Sequence, residues 1–302
     1  MREISFSHKT KQELSKIENK KNCCERAEVY ALMLFSKYFN NNGKLNIENP
    51  LIARLMAEKV AVITGIIPEI TINPKGKGYT FSLVGKGAKK FAHVFFEQTV
   101  ENAIAYKNIQ SNCCEKSFLR GAFLACGVIS DPSKQYKLEF VFTSEKMALE
   151  LLNFVDQTGL INLKLSSRAS NFVLYSKSSS QIEDFLTYIG AQNTSMEIMQ
   201  TKMYKEAMND INRKANFETA NIDKTYSASA KQIAAIAVLV DNNQFEMLPH
   251  NLKEVADFRF NHPDMTLGQI AKSLNISRSA VNHRLGKIIK LTENLSIEVT
   301  ND

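Results

Sequence analysis

Apolar residues crowd two stretches of this chain so densely that neither keeps a broad polar side for water. Residues 27–35 and 117–125 read as helices buried around most of their circumference. Each follows a related tetrad, Cys23-Cys24-Glu25-Arg26 and Cys113-Cys114-Glu115-Lys116, at an offset of 90 residues. The order of elements beyond them repeats as well. Strand-like Leu45-Asn46-Ile47 corresponds to 136–142, and amphipathic helices follow at 50–64 and 144–158. Gly65 and Gly159 end those helices and suit left-handed C-caps. Two further strands follow in each copy, 69–73 with 79–84 and 160–165 with 171–175, turning through 73–78 and 166–170. Helices over 88–105 and 181–189 close the two copies. The pattern predicts an α+β unit used twice, in repeats of about 21–108 and 111–195. Gly121 and Ala122 facing Ala31 would let the two apolar helices approach about a pseudo-twofold axis. The strands would then form a saddle whose concavity suits a duplex groove.

The last third changes register. A helical pattern over 194–205 leads into a polar stretch, 209–225, with four Asn and the basic pair Arg213-Lys214. That composition predicts a domain linker, so 196–228 is divided into a helix and an Asn-rich connection. From Ser229 the stripe Ile233, Ile236, Ala237 and Val240 predicts a helix, and Leu252, Val255, Ala256 and Phe260 predict another. Pro263 stops it. Then comes the layout of a helix-turn-helix. Thr266 can cap 267–274, Asn275-Ile276 form the turn, and Ser277 can cap a helix from Arg278. Ile270, Ala271, Leu274, Ile276, Val281 and Leu285 are apolar where two crossed helices would meet. The second helix would present Arg278, Ser279, Asn282, His283 and Arg284 outward, to reach base edges, with Lys287 and Lys290 near phosphates. A helical protein–protein module with a solvated polar face is the plainer reading of the same residues.

Length and charge sharpen this only slightly. A chain of 302 residues is about two domains' worth, and 44% hydrophobic with 23% charged residues excludes a disordered or low-complexity chain. The net charge of +7 fits a nucleic-acid partner without demanding one. No apolar run approaches the roughly 20 residues of a membrane span. The opening Met1-Arg2-Glu3-Ile4-Ser5-Phe6 holds no apolar signal core, and five Cys, four of them in adjacent pairs, make a poor disulfide framework. A reduced, cytoplasmic protein is therefore expected, and DNA binding would make it nucleoid-associated.

Metal and phosphate signatures are weak. Cys23-Cys24 and Cys113-Cys114 lack the spacing of two to four residues usual in zinc pairs, so they read as small buried residues at the head of each central helix. The five His show no ligand spacing. Gly76-Lys77-Gly78 and Gly85-Lys86-Gly87 lack the pattern of a phosphate-binding loop and suit a hairpin tip. No cofactor and no metal site are expected.

Leu119-Arg120-Gly121-Ala122-Phe123-Leu124-Ala125-Cys126-Gly127 resembles a degenerate LAGLIDADG helix of the homing endonuclease family, with 29–37 as its weaker counterpart. The resemblance implies a duplicated αββαββα saddle, with one acidic residue near the foot of each central helix to hold Mg²⁺ at the scissile phosphates. Those positions are Ser36 and Cys126 here, and the other acidic motif position reads Leu34 and Leu124. Asp131, five residues beyond Cys126, is the one candidate for a relocated acid. With its C-terminal segment the whole chain resembles the WhiA family of bacterial regulators, and 209–225 resembles that family's Asn- and Arg-rich signature ahead of the helix-turn-helix.

The expectation is thus an N-terminal arm or helix (1–20), a LAGLIDADG-like domain (21–195), the connection (196–228), an all-α helix-turn-helix domain (229–292) and a tail (293–302). The chain would bind double-stranded DNA without cutting it. Arg213 and Lys214 join Ser277, Arg278, Ser279, Asn282, His283, Arg284 and Lys287 as candidate contacts. The family resemblance implies regulation of transcription in cell division, chromosome segregation or sporulation, with RNA polymerase or another regulator as a further partner, and most DNA affinity in the C-terminal domain. The alternatives are a metal-dependent homing-type nuclease with relocated acids, and a protein-binding scaffold tethered to DNA. Lys75, Lys77, Lys164 and Arg168, in or near the hairpins, would favour DNA on the saddle.

Overall fold

The computed structural model describes residues 4–36, 44–73, 78–83, 89, 93–95 and 103–298. Most of the helix predicted over 88–105, and Lys75, Lys77, Lys86 and Lys90, lie outside the described residues. Two compact units divide the chain, Met1–Glu206 and Ala207–Asp302.

At the centre of the first unit lie α2 (Asn22–Leu34) and α4 (Asn112–Cys126), packed against each other. Their all-round apolarity is matched by burial: Ala27 to Met33 and Ser117 to Leu124 are out of solvent. Gly121 sets the closeness of the approach, since a Cβ there would stand 2.4 Å from the Glu28 carbonyl oxygen and 2.9 Å from the Ala31 Cβ. Phe118 fills the seam, its ring centroid 6.0 Å from Tyr30 and 5.7 Å from Phe35.

Each copy adds an antiparallel sheet. In the first, β1 (Lys44–Ile47), β2 (Glu69–Ile72) and β3 (Tyr79–Ser82) lie in the order β1-β3-β2. In the second, β4 (Gly127–Ile129), β5 (Leu138–Phe142), β6 (Lys164–Arg168) and β7 (Asn171–Ser176) lie in the order β4-β5-β7-β6. The amphipathic helices are α3 (Pro50–Thr64), capped by Asn49, and α5 (Glu145–Thr158). Gly65 and Gly159 do adopt left-handed backbones, at φ 70° and 62°. The second hairpin differs from its reading. Strand β6 begins at Lys164 and continues through Ser166-Ser167-Arg168, and the turn shrinks to Ala169-Ser170. Pairing of Ser166 with Val173 and Ser167 with Phe172 overrides the weak strand preference of serine.

Helix α1 (Phe6–Ser15) packs on this unit, and Glu13 caps the start of a long helix: its carboxylate accepts from the Asn193 and Thr194 amides at 2.7 and 3.0 Å. After α6 (Ser179–Ile189), that long helix α7 runs Gln192–Asp241 without a break. The expected Asn-rich linker is therefore helical. Asn lowers helix propensity by only a few tenths of a kcal/mol, and 196–228 contains neither Gly nor Pro to stop the helix. Residues 206–228 are all exposed, which explains why an apolar stripe did not mark them.

In the second unit the end of α7 packs with α8 (His250–Asn261), α9 (Leu267–Ser273) and α10 (Arg278–Glu298). Val240 and Phe260, expected inside, are exposed, while Arg259 is buried instead. Its guanidinium Nη1 donates to the carbonyls of Met265 (2.7 Å) and Pro263 (3.2 Å) and to Ser229 Oγ (3.3 Å). A cation at the C-terminus of α8 thus satisfies carbonyls of the chain that follows the helix.

Candidate nucleic-acid interface

Helix α9 begins with a reciprocal capping box: the Gln269 amide donates to Thr266 Oγ1 (3.3 Å), and the Thr266 amide to Gln269 Oε1 (2.8 Å). Asn275 turns the chain at φ 50°, and the Ile276 amide returns to the Ala271 carbonyl at 3.0 Å. Ser277 then caps α10, accepting from the Ala280 amide at 3.1 Å. Ile270 and Ala271 on α9 are buried against Val281, Leu285 and Ile288 on α10. That packing fixes the rotation of α10 about its axis.

The opposite side of α10 carries the polar set. Ser277, Arg278, Ser279, Asn282, His283, Lys287 and Lys290 are all exposed. Arg284 departs from its expected place. It is partly buried, and its Nη1 stands 3.8 Å from Glu254 Oε2 on α8. Three residues after Val281 and four before Ile288, Arg284 falls at the edge of the packed side of a helix with 3.6 residues per turn. Gly286, which the motif reading passed over, shares the polar side, and a Cβ there would meet nothing within 4 Å. The signal was available: a helix-interior glycine costs about 1 kcal/mol against alanine. Arg213 and Lys214 project from the exposed part of α7, Arg213 lying 3.8 Å from Asp210.

In the first unit the positions of the family's acids line a cavity of about 440 Å³ at the feet of α2 and α4. Ser36 donates its hydroxyl to the Leu32 carbonyl, and Cys126 its thiol to the Ala122 carbonyl at 3.4 Å. Burial pushes the Cys126 thiol up to about 12, against the pull of Lys11. Lys11, reaching in from α1, is pushed down to about 8 by desolvation, with Cys126 opposing. Among the described residues, Glu48, exposed at the rim, is the one acidic residue lining the cavity. Asp131 is occupied in its own turn, accepting from the Ser133 amide (2.8 Å) and hydroxyl (2.6 Å), which hold its carboxyl below the usual range. A hard divalent cation would meet a thiol, a hydroxyl and an ammonium at the helix feet, a poor donor set.

On the second sheet one carboxylate, Glu139, pairs with both Lys137 at 2.7 Å and Arg168 at 3.1 Å, and Lys164 is exposed at the start of β6. At the opposite end of the central helices Cys24 and Cys114 are buried, as read from the sequence, but the two cysteine pairs are not apart from each other. The four sulfurs of Cys23, Cys24, Cys113 and Cys114 lie within 4.8 Å of one another, because the duplication brings two adjacent pairs face to face. Cys23 and Cys113 are only partly buried.

A duplicated LAGLIDADG-type scaffold without paired acids at its helix feet, followed by a helix-turn-helix, defines the class. Family models agree: residues 115–208 match the WhiA LAGLIDADG-like domain, and 211–292 match the WhiA C-terminal HTH domain. The chain is 34% identical to the probable cell division protein WhiA of Alkaliphilus metalliredigens, across 96% of this chain and 98% of that one. It is 35% identical to the protein of the same name from Ruminiclostridium cellulolyticum, across 97% and 98%. The chain belongs to the WhiA family. The crystal structure of full-length DUF199/WhiA from Thermotoga maritima shares the fold, with a TM-score of 0.60 at 23% identity over 97% of this chain and 99% of that one. Among the described residues no helix is long and apolar enough to cross a membrane.

Proposed function

We infer that this chain is a sequence-specific double-stranded DNA-binding protein that regulates transcription and does not cut its target. The observation that carries this reading is α10 itself. Its packed side is locked by Val281, Leu285 and Ile288, while Arg278, Ser279, Asn282 and His283 stand exposed on its N-terminal turns. Arg and Asn there can read base edges, and Lys287 and Lys290 can neutralise phosphates. Gly286 would let a backbone approach the helix closely. The relatives' name supports a role in cell division; chromosome segregation and sporulation are the settings that the family resemblance implies. A regulator of this kind would work at the nucleoid and act on RNA polymerase or another regulator. Arg213 and Lys214 would add phosphate contacts from α7.

Loss of cleavage follows from the same donor set of Ser36, Cys126 and Lys11. A second reading, protein binding by the saddle, draws on the engagement of Arg168 and Lys137 by Glu139, which leaves fewer free cations on the second sheet. The test is binding of the full chain to a labelled random-duplex library at two salt concentrations, with and without Mg²⁺. Retention of a subset of sequences, lost in Arg278→Ala/Asn282→Ala and without cutting, is expected. Undiminished binding by that variant would overturn the recognition-helix assignment, and Mg²⁺-dependent cutting would restore the nuclease.

A further inference from the structure

We propose that Cys23, Cys24, Cys113 and Cys114 form a tetrathiolate zinc site that ties together the N-termini of the two central helices. The four sulfurs already lie within 4.8 Å of one another, and all four cysteines are free of disulfides. A tetrahedral zinc with Zn–S bonds of about 2.3 Å sets its sulfurs about 3.8 Å apart, so small side-chain rotations close the shell. The same compactness leaves no room for an iron–sulfur cluster.

The surroundings are those of an anionic sulfur cluster. The cysteines hold matching places, the second and third residues of α2 and of α4. Neither helix has a side-chain cap, although the residue at the cap of α4 is Ser111, well suited to that task. Ser111 instead turns its hydroxyl to the sulfurs, 3.1 Å from Cys113 and 3.6 Å from Cys114. Two helix N-termini therefore converge on the sulfurs with their dipoles favouring negative charge. Binding would release the four thiol protons to solvent and leave a site of net charge about −2. The thiol of Cys24 would give up its bond to the Cys113 carbonyl, at 3.3 Å. Cys23 and Cys113, only partly buried, leave an entry path for the ion.

Such a site gives the duplication a use for its paired tetrads: one ion bonded to both repeats. The test is metal analysis of the full chain, purified under reducing conditions from zinc-containing medium. About one zinc per chain is expected, falling at least tenfold in Cys24→Ser/Cys114→Ser and unchanged in Cys126→Ala. Should the double variant fail to fold, cobalt(II) added to the metal-depleted wild-type chain decides. A tetrathiolate charge-transfer and visible spectrum, abolished by one equivalent of zinc, is expected. A chain with no bound metal and no cobalt spectrum, its four thiols reactive or joined in disulfides, would overturn the site.

Discussion

Glu28 on one central helix holds its carboxylate beneath the guanidinium of Arg120 on the other, with Arg120 Nε 3.0 Å from Glu28 Oε2. Both side chains are almost wholly out of solvent. Asn19 Nδ2 donates to the same oxygen at 2.6 Å, and the Lys59 ammonium stands 3.3 Å from the other. The pair joins the two repeats at the middle of the core, where an ion left alone is costly. Arg120→Met is expected to lower the unfolding free energy by about 3–5 kcal/mol, whereas Glu28→Met/Arg120→Met together recover most of it. Urea unfolding of the three chains checks this.

Gly121 and Gly65 separate two reasons for a glycine. An alanine methyl at 121 would meet backbone, the Glu28 carbonyl, so the helices must part. Gly121→Ala is expected to cost about 1–3 kcal/mol by overpacking. Gly65 has open space around it and is held only by its φ of 70°, so Gly65→Ala should cost about 1 kcal/mol. Equal losses in thermal melts would mean that the helix seam is looser than Gly121 implies.

Much of this was legible in the chain. Periodicity and paired tetrads disclosed the duplication, and the capping residues Thr266 and Ser277 bounded the helix-turn-helix. What escaped was set by tertiary partners. Nothing in the chain singles out Arg259, whose burial depends on the carbonyls of Pro263 and Met265 that fold onto it. Arg284 reads as one of an outward set, because sequence shows its neighbours but not Glu254 across on α8. The α7 stretch 206–228 is helical with no buried face, so neither stripe nor breaker announces it. The cysteines escaped for the opposite reason: adjacent residues are poor partners within one helix, and only the packing of two copies makes four sulfurs neighbours.

On the proposed recognition helix, position decides role. Asn282→Ala should cost about 1–3 kcal/mol of affinity for a selected site and relax the choice of one base. Lys287→Ala should weaken all sequences alike and reduce the salt slope by about 1. Arg284→Ala, on the α8 side, should leave DNA affinity close to that of the wild type. Salt-titrated anisotropy with matched and mismatched duplexes distinguishes the three. A large loss of affinity from Arg284→Ala alone would return that residue to the DNA face.

Lys11 makes the cavity at Ser36 and Cys126 a source of pH dependence. Its ammonium is pushed from 10.5 down to about 8 in the folded chain. Between those values the unfolded chain binds more protons than the folded one, so this group's contribution to stability rises with pH through that window. Below about 8 the folded chain bears the full cost of a desolvated ammonium. Cys126, pushed up from 9.0 to about 12, acts oppositely above pH 9, and Tyr30, pushed up from 10.0 to about 12, does so above pH 10. The difference between Lys11→Met and wild type isolates the lysine. At about pH 7 the methionine variant is expected to be more stable by about 1–2 kcal/mol, after discounting for partial exposure. That advantage should shrink as the pH approaches 10, where wild-type Lys11 is largely neutral when folded. Melting temperatures of both chains across this range check it; a constant gap would place the Lys11 ammonium in water rather than in the cavity.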